Sequence, residues 1–123
     1  MSAVPDVVVV GAGPAGAAVA ARLAAAGRAV LLLDRERFPR PKPCGDCVNP
    51  AAIAELDTLG ALDAVRREPH APIRGWRVVP LEGSAFQGAY PPGRPGMAIA
   101  RERLDRVLLE HARAAGAEVR LGE

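Results

Sequence analysis

Aromatic side chains are scarce: one tryptophan, one tyrosine and two phenylalanines in 123 residues. Any core must therefore be built mostly from alanine, valine and leucine. Apolar residues make up 50% of the chain, enough for that purpose. Cysteine is equally rare. Cys44 and Cys47 stand close together in a loop, which suits a reducing compartment and argues against a disulfide-stapled secreted fold. A charge excess is missing too. The net charge is +2 and the arginines are scattered, so nothing points to nucleic acid as a partner. No apolar run approaches the ~18 residues of a membrane-spanning helix. The stretch from Met1 to Asp6 also lacks the basic region of a secretory signal. These absences lead to the expectation of a cytoplasmic protein with one domain at most.

What is present begins at once. Val7 to Val10 is a run of β-branched residues, apolar on both faces, as expected of a central parallel strand. Gly11, Gly13 and Gly16 follow. Ala15 to Ala26 reads as a helix of small residues stopped by Gly27. Ala29 to Leu33 reads as a second buried strand, closed by Asp34. Together they make one βαβ unit. The glycines have G-x-G-x-x-G spacing, sit between a strand and a helix, and are followed about twenty residues on by an acidic residue. Each part has a physical task. Gly11 permits the tight turn, Gly13 lets a pyrophosphate approach the backbone, and Gly16 lets the helix pack on the sheet. Unpaired N–H groups and the helix dipole then face the phosphates. Asp34 is placed to accept hydrogen bonds from ribose hydroxyls. These features predict a cradle for the ADP half of a dinucleotide over residues 6–34. They do not separate FAD from NAD, which share that half.

Residues 35–49 read as a loop, because Pro39, Pro41 and Pro43 forbid regular structure. Asn49 and Pro50 form a helix start, and Gly60 the matching stop. Leu62 and Val65 suggest one further turn. Ile73 to Leu81 reads as a strand with Trp76 in the core. Gly83 to Gly96 is turn-rich, with a short strand around Phe86. Glu102 to Ala115 is the clearest amphipathic helix. It groups Leu104, Val107, Leu108, Ala112 and Ala115 on one face. Arg101 opens it, where a cation opposes the helix dipole. A residue placed against local preference is a functional candidate. Gly116 ends the helix, and Ala117 to Leu121 begins another strand.

Two stretches carry a resemblance. GAGPAGAAVAARLAAAG followed by AVLLLD, with Pro14 after the second glycine, resembles the opening of large FAD-dependent oxidoreductases. FPRPKPCGDCVNPAAIAEL, with the later Arg101-x-x-Leu104-Asp105-x-x-Leu108, resembles the geranylgeranyl reductase family over nearly the whole chain. That family holds FAD non-covalently and reduces isoprenoid double bonds on lipids. The resemblance implies that Ala15, Asp34, Cys44, Gly45, position 47 and Arg101 lie along the FAD. Position 47 is usually glycine in the family, and here it is Cys47.

Other readings of Cys44 and Cys47 stay open at this point. A zinc site wants four ligands, and His70 and His111 are alone and far apart. A redox dithiol is a serious alternative, although flavin disulfide reductases space their cysteines by four intervening residues rather than two. The plainest reading is a loop that touches the cofactor by its backbone. Arg40 and Lys42 are near enough in sequence to lower the Cys44 thiol pKa. Arg35 reads as a cap over the adenine or a solvated charge, and His111 as a packing residue.

The expectation is therefore an α/β chain: a Rossmann-like, three-layer FAD-binding fold with a mainly parallel sheet, incomplete over residues 1–123. Gly11, Gly13, Pro14, Ala15, Gly16, Asp34, Arg35, Cys44, Gly45, Cys47 and Arg101 are the expected cofactor contacts. The cofactor is FAD, with NAD(P)H or another donor supplying electrons. The substrate is a small molecule or lipid, with peripheral membrane contact in a full-length protein. A flavin monooxygenase or halogenase and a non-catalytic dinucleotide-binding module are the alternatives. The remaining strands are expected downstream of Glu123, so these residues alone should hold FAD weakly and show no turnover.

Overall fold

The computed structural model describes residues 4–123, so the first three residues of the expected 1–123 unit lie outside it. Strand β1 (Val7–Val10), helix α1 (Pro14–Ala25) and strand β2 (Val30–Asp34) form the expected βαβ unit. Strand β8 (Glu118–Leu121) joins them in a parallel sheet of order β1-β2-β8. Val7 lies opposite Val30, and Leu31 opposite Glu118. Among the described residues β1 stands at the edge of this sheet.

The sheet is covered on one face. Alternate β2 residues Val30 and Leu32 are buried against Ala20 and Ala21 of α1 and against Leu109 and Ala112 of helix α4 (Arg101–Ala114). Small side chains on α1 let α4 lie close beside it. On the other face Val8 and Val10 are 51% and 81% exposed. This explains a strand apolar on both sides: its second face is hydrophobic and uncovered among the described residues.

A second core lies across α4. Helix α2 (Pro50–Leu59), helix α3 (Leu62–Arg66) and strand β7 (Gly96–Ala98) pack Leu56, Val65 and Met97 against Leu104, Val107 and Leu108. The start of α2 follows its cap: the Asn49 side chain accepts from the Ala52 N–H at 2.8 Å, with Pro50 at the first helical position. Its end follows Gly60, whose φ of +81° is left-handed and costs glycine little. His111 packs here as expected, its Nε2 donating to the Leu59 carbonyl at 2.9 Å.

The middle of the chain departs from the expectation. The loop after β2 ends in a short strand, β3 (Cys47–Val48). It pairs antiparallel with β7, which pairs in turn with β4 (Ala71–Ile73). The strand expected over Ile73 to Leu81 is thus broken into β4 and β5 (Gly75–Val78), in two different sheets. Among the described residues strand β5 pairs only with β6 (Phe86–Ala89), the strand foreseen around Phe86. Trp76 is not core. It is 50% exposed on this hairpin, lies across its partner Gly88, and meets Phe86 edge-on at 5.8 Å. A two-stranded ribbon has no second layer to bury an aromatic ring, so the ring covers the bare glycine opposite instead. No helix among the described residues is long and apolar enough to cross a membrane.

Candidate functional site

The site is built from the turn between β1 and α1. Gly11 has φ +99°, and its N–H donates to the Leu33 carbonyl at 2.7 Å, which ties the turn to the end of β2. Gly13 is the N-cap of α1 in extended backbone, and no side chain caps the helix. Pro14 holds the first helical position. Ala15 and Gly16 follow, whose N–H groups have no partner within the helix. Gly16 sits where the helix crosses the turn: a Cβ there would fall 1.8 Å from the Gly11 carbonyl oxygen. The positive end of α1 therefore opens on bare backbone, the arrangement that receives phosphate.

Asp34 is buried at the end of β2. Its Oδ2 accepts from the Ala12 N–H at 2.7 Å and its Oδ1 from the Glu36 N–H at 2.8 Å. It thus braces the glycine turn as well as facing the groove. Each carboxylate oxygen has a further lone pair, so ribose hydroxyls can still donate to it. Arg35 is at the solvent side of the groove, its side chain 87% exposed and 3.7 Å from Glu36.

Arg101 is the first residue of α4. Its Nε and Nη2 donate to the two oxygens of Asp105, one turn on, at 2.8 and 3.1 Å. Arg40 reaches the same carboxylate from the loop after β2, donating from Nη1 to Asp105 Oδ2 at 3.2 Å. Its Nη2 lies 3.9 Å from Asp34 Oδ2, and its guanidinium covers the Phe38 ring at 4.5 Å. Asp105 is fully buried. Both guanidiniums come to Gly13: Arg101 Nη2 and Arg40 Nη2 lie 3.9 and 4.0 Å from where its Cβ would be. Asp46 steadies this corner, its carbonyl accepting from the Ile99 N–H at 2.9 Å and its Oδ1 from the Arg101 N–H at 3.2 Å.

The glycine turn, Asp34, Arg40 and Arg101 line one open groove of about 880 Å³. It brings together Gly11, Gly13, Pro14, Ala15, Gly16, Asp34, Arg35 and Arg101, which are scattered along the sequence. Cys44, Gly45 and Cys47 do not line it. Cys47 is exposed, pairs with Ala98, and borders a separate apolar groove beside Pro14 and Ala15. Cys44 is exposed, and the nearby Arg101 guanidinium, helped by the Asp46 backbone, draws its thiol below the ordinary range. The cause is Arg101, not the Arg40 and Lys42 that sequence proximity suggested; Arg40 is turned toward Asp105. In a Cys47→Ser protein, iodoacetamide should therefore alkylate Cys44 with a pH midpoint below that of a free thiol. Arg101→Gln should move the midpoint upward. An unmoved midpoint would remove Arg101 as the cause.

Arg40 and Asp105 were missed as site residues. A sequence cue existed for Asp105. It shares a helical stripe with Leu108, Leu109 and Ala112, all buried, and a charge on an apolar stripe needs a partner. Arg40 gave no such cue.

The groove fits the ADP half of FAD. It offers a bare helix N-terminus and two guanidiniums to the diphosphate, and a carboxylate to the ribose. Comparison with known proteins agrees. A family model described as "FAD binding domain" matches residues 5–123. The chain is 45% identical over 123 residues to the menaquinone reductase of Mycobacterium tuberculosis, covering 95% of this chain and 29% of that protein. It is 34% identical to the digeranylgeranylglycerophospholipid reductase of Methanosarcina mazei over 94% of this chain and 28% of that protein. Among solved structures it superposes on a myxobacterial chondrochloren halogenase with TM-score 0.83 at 29% identity, covering 96% of this chain and 28% of that one. It superposes on p-nitrophenol 4-monooxygenase from Pseudomonas putida with TM-score 0.79 at 26% identity, covering 99% of this chain and 33% of that one. The chain spans less than a third of the curated relatives it matches. From the glycine turn to the last strand, this chain belongs to the FAD binding domain family, the fold of FAD-dependent oxidoreductases.

Proposed function

We propose that these residues are the FAD-holding part of a reductase, of the geranylgeranyl reductase type, that saturates double bonds of an isoprenoid lipid. Residues 6–34 serve as its ADP cradle and residues 35–49 as the loop toward the flavin. The observation that carries the FAD part is the meeting at Gly13 of the α1 N-terminus with the Arg101 and Arg40 guanidiniums. Ala15 and Gly16 donate backbone N–H groups to the diphosphate, and Asp34 accepts from the ribose. Cys44, Gly45 and Cys47 follow the cofactor toward its flavin end, touching it through backbone. The lipid part rests on relatives named for menaquinone and for digeranylgeranylglycerophospholipid, both called reductases. When bound and reduced, the flavin supplies the hydride for the double bond, with NAD(P)H or another donor restoring it. The substrate brings the full-length protein to a membrane surface.

The halogenase and monooxygenase neighbours support a second reading, in which the same cradle serves oxygen chemistry. One experiment separates the two. The reduced full-length flavoprotein is offered menaquinone or a geranylgeranyl lipid, once without oxygen and once with oxygen and halide present, and the products are weighed by mass spectrometry. A gain of two hydrogens per double bond is expected. Oxygen uptake with insertion of oxygen or halogen, and no hydrogenated lipid, would overturn the reductase reading.

A further inference from the structure

We infer that Asp105 is the positioning residue of the diphosphate site: its buried carboxylate holds the Arg101 and Arg40 guanidiniums against Gly13, where they meet a diphosphate laid across the start of α1. The inference rests on the reading that this groove takes the ADP half of FAD.

Arg101 is in an electrostatically poor place. It opens α4 and lies beside the start of α1, so the positive ends of two helix dipoles act on it. A long cation there would swing to solvent unless an anion kept it. Asp105 is that anion, and the i,i+4 spacing on α4 brings it directly beneath. Arg40 comes from far away in sequence to the same carboxylate. A fully buried Asp105 is costly unless paired, and it has three charged hydrogen bonds from the two arginines.

The donor count shows where the pair is aimed. Each guanidinium has five N–H donors. Asp105 takes two from Arg101 and one from Arg40. Donors remain on both, and an Nη2 of each stands about 4 Å from the Gly13 Cβ position. That spot is the bare start of α1. A planar guanidinium fixed by one carboxylate, with N–H groups left over beside Gly13, is preorganised for a second anion, which makes the carboxylate part of the binding geometry. Asp105 itself does not line the groove.

The test uses the full-length protein and three probes: FAD by fluorescence titration, and ADP and adenosine as competitors. Asp105→Asn keeps the shape and removes the charge. Affinity for FAD and ADP should fall roughly 30- to 100-fold, and adenosine, which lacks phosphate, should stay within about twofold. A residue that merely supports the fold would lower ADP and adenosine affinity together, and that result overturns the inference. If Asp105→Asn fails to fold, Arg40→Gln serves instead, because it leaves the Arg101–Asp105 pair in place. It should show the same selective loss for ADP, and unchanged ADP affinity overturns the inference. Failure of the unsubstituted protein to bind ADP at all would instead remove the cradle reading. Loss of lipid reduction with ADP affinity intact would touch only the proposed substrate.

Discussion

Gly16→Ala is expected to abolish FAD retention in the full-length protein and to destabilise it by about 3 kcal/mol or more, at the top of the range for overpacked sites. The added Cβ would fall 1.8 Å from the Gly11 carbonyl oxygen and 3.0 Å from its carbon. Those are backbone atoms, so no rotamer change relieves the clash. The turn cannot retreat either, because the Gly11 N–H is bonded to Leu33 and the Ala12 N–H to Asp34. Helix α1 must shift off β1, and the N–H groups that start it move away from the groove. Flavin absorbance per polypeptide after gel filtration and the urea midpoint measure both effects. Gly45→Ala is the control. A Cβ at Gly45 meets open space, so its urea midpoint should match the parent. Parent-like flavin content in Gly16→Ala would show that the helix does not need this close approach.

Asp34→Ala should weaken FAD binding roughly ten- to a hundredfold, the equivalent of losing one charge-assisted hydrogen bond. The structure adds a second consequence. The carboxylate also accepts from the Ala12 and Glu36 N–H groups, and the first of these bonds is buried. Without Asp34 the glycine turn has a buried donor without a partner, at a cost of about 1–3 kcal/mol. Flavin fluorescence titration reads the first effect and denaturant unfolding the second. Unchanged affinity would remove Asp34 from the cofactor site and leave it a brace for the turn. Asp34→Asn keeps an acceptor oxygen and should fall between the two.

The βαβ unit was legible because its determinants are local. A strand of four valines, glycines at set spacing and a helix stopped by Gly27 depend on neighbours within a few positions. The caps of α2 were legible for the same reason: Asn49, Pro50 and Gly60 act on their own backbone. So was the amphipathic face of α4, a matter of period alone. Strand β7 was not. Gly96–Ala98 is too short to show a period, and it exists because β3 and β4 pair with it from distant parts of the chain. The same holds for Trp76, whose composition says core. Its exposure follows from the break at Arg74, which sends β4 and β5 to different sheets.

The sequence by itself determined where a glycine turn with bare N–H groups forms, because such groups at a helix start arise from backbone and spacing alone. Which side chains serve that turn was decided by tertiary structure. Arg40 and Asp105 are 65 positions apart and Gly13 and Arg101 farther still, yet they share one corner. They meet because α4 packs beside the alanine face of α1, which brings the start of one helix to the start of the other. No local preference encodes that approach. It follows from burying α4 between two cores, and the buried Asp105 then draws the two arginines to the bare start of α1.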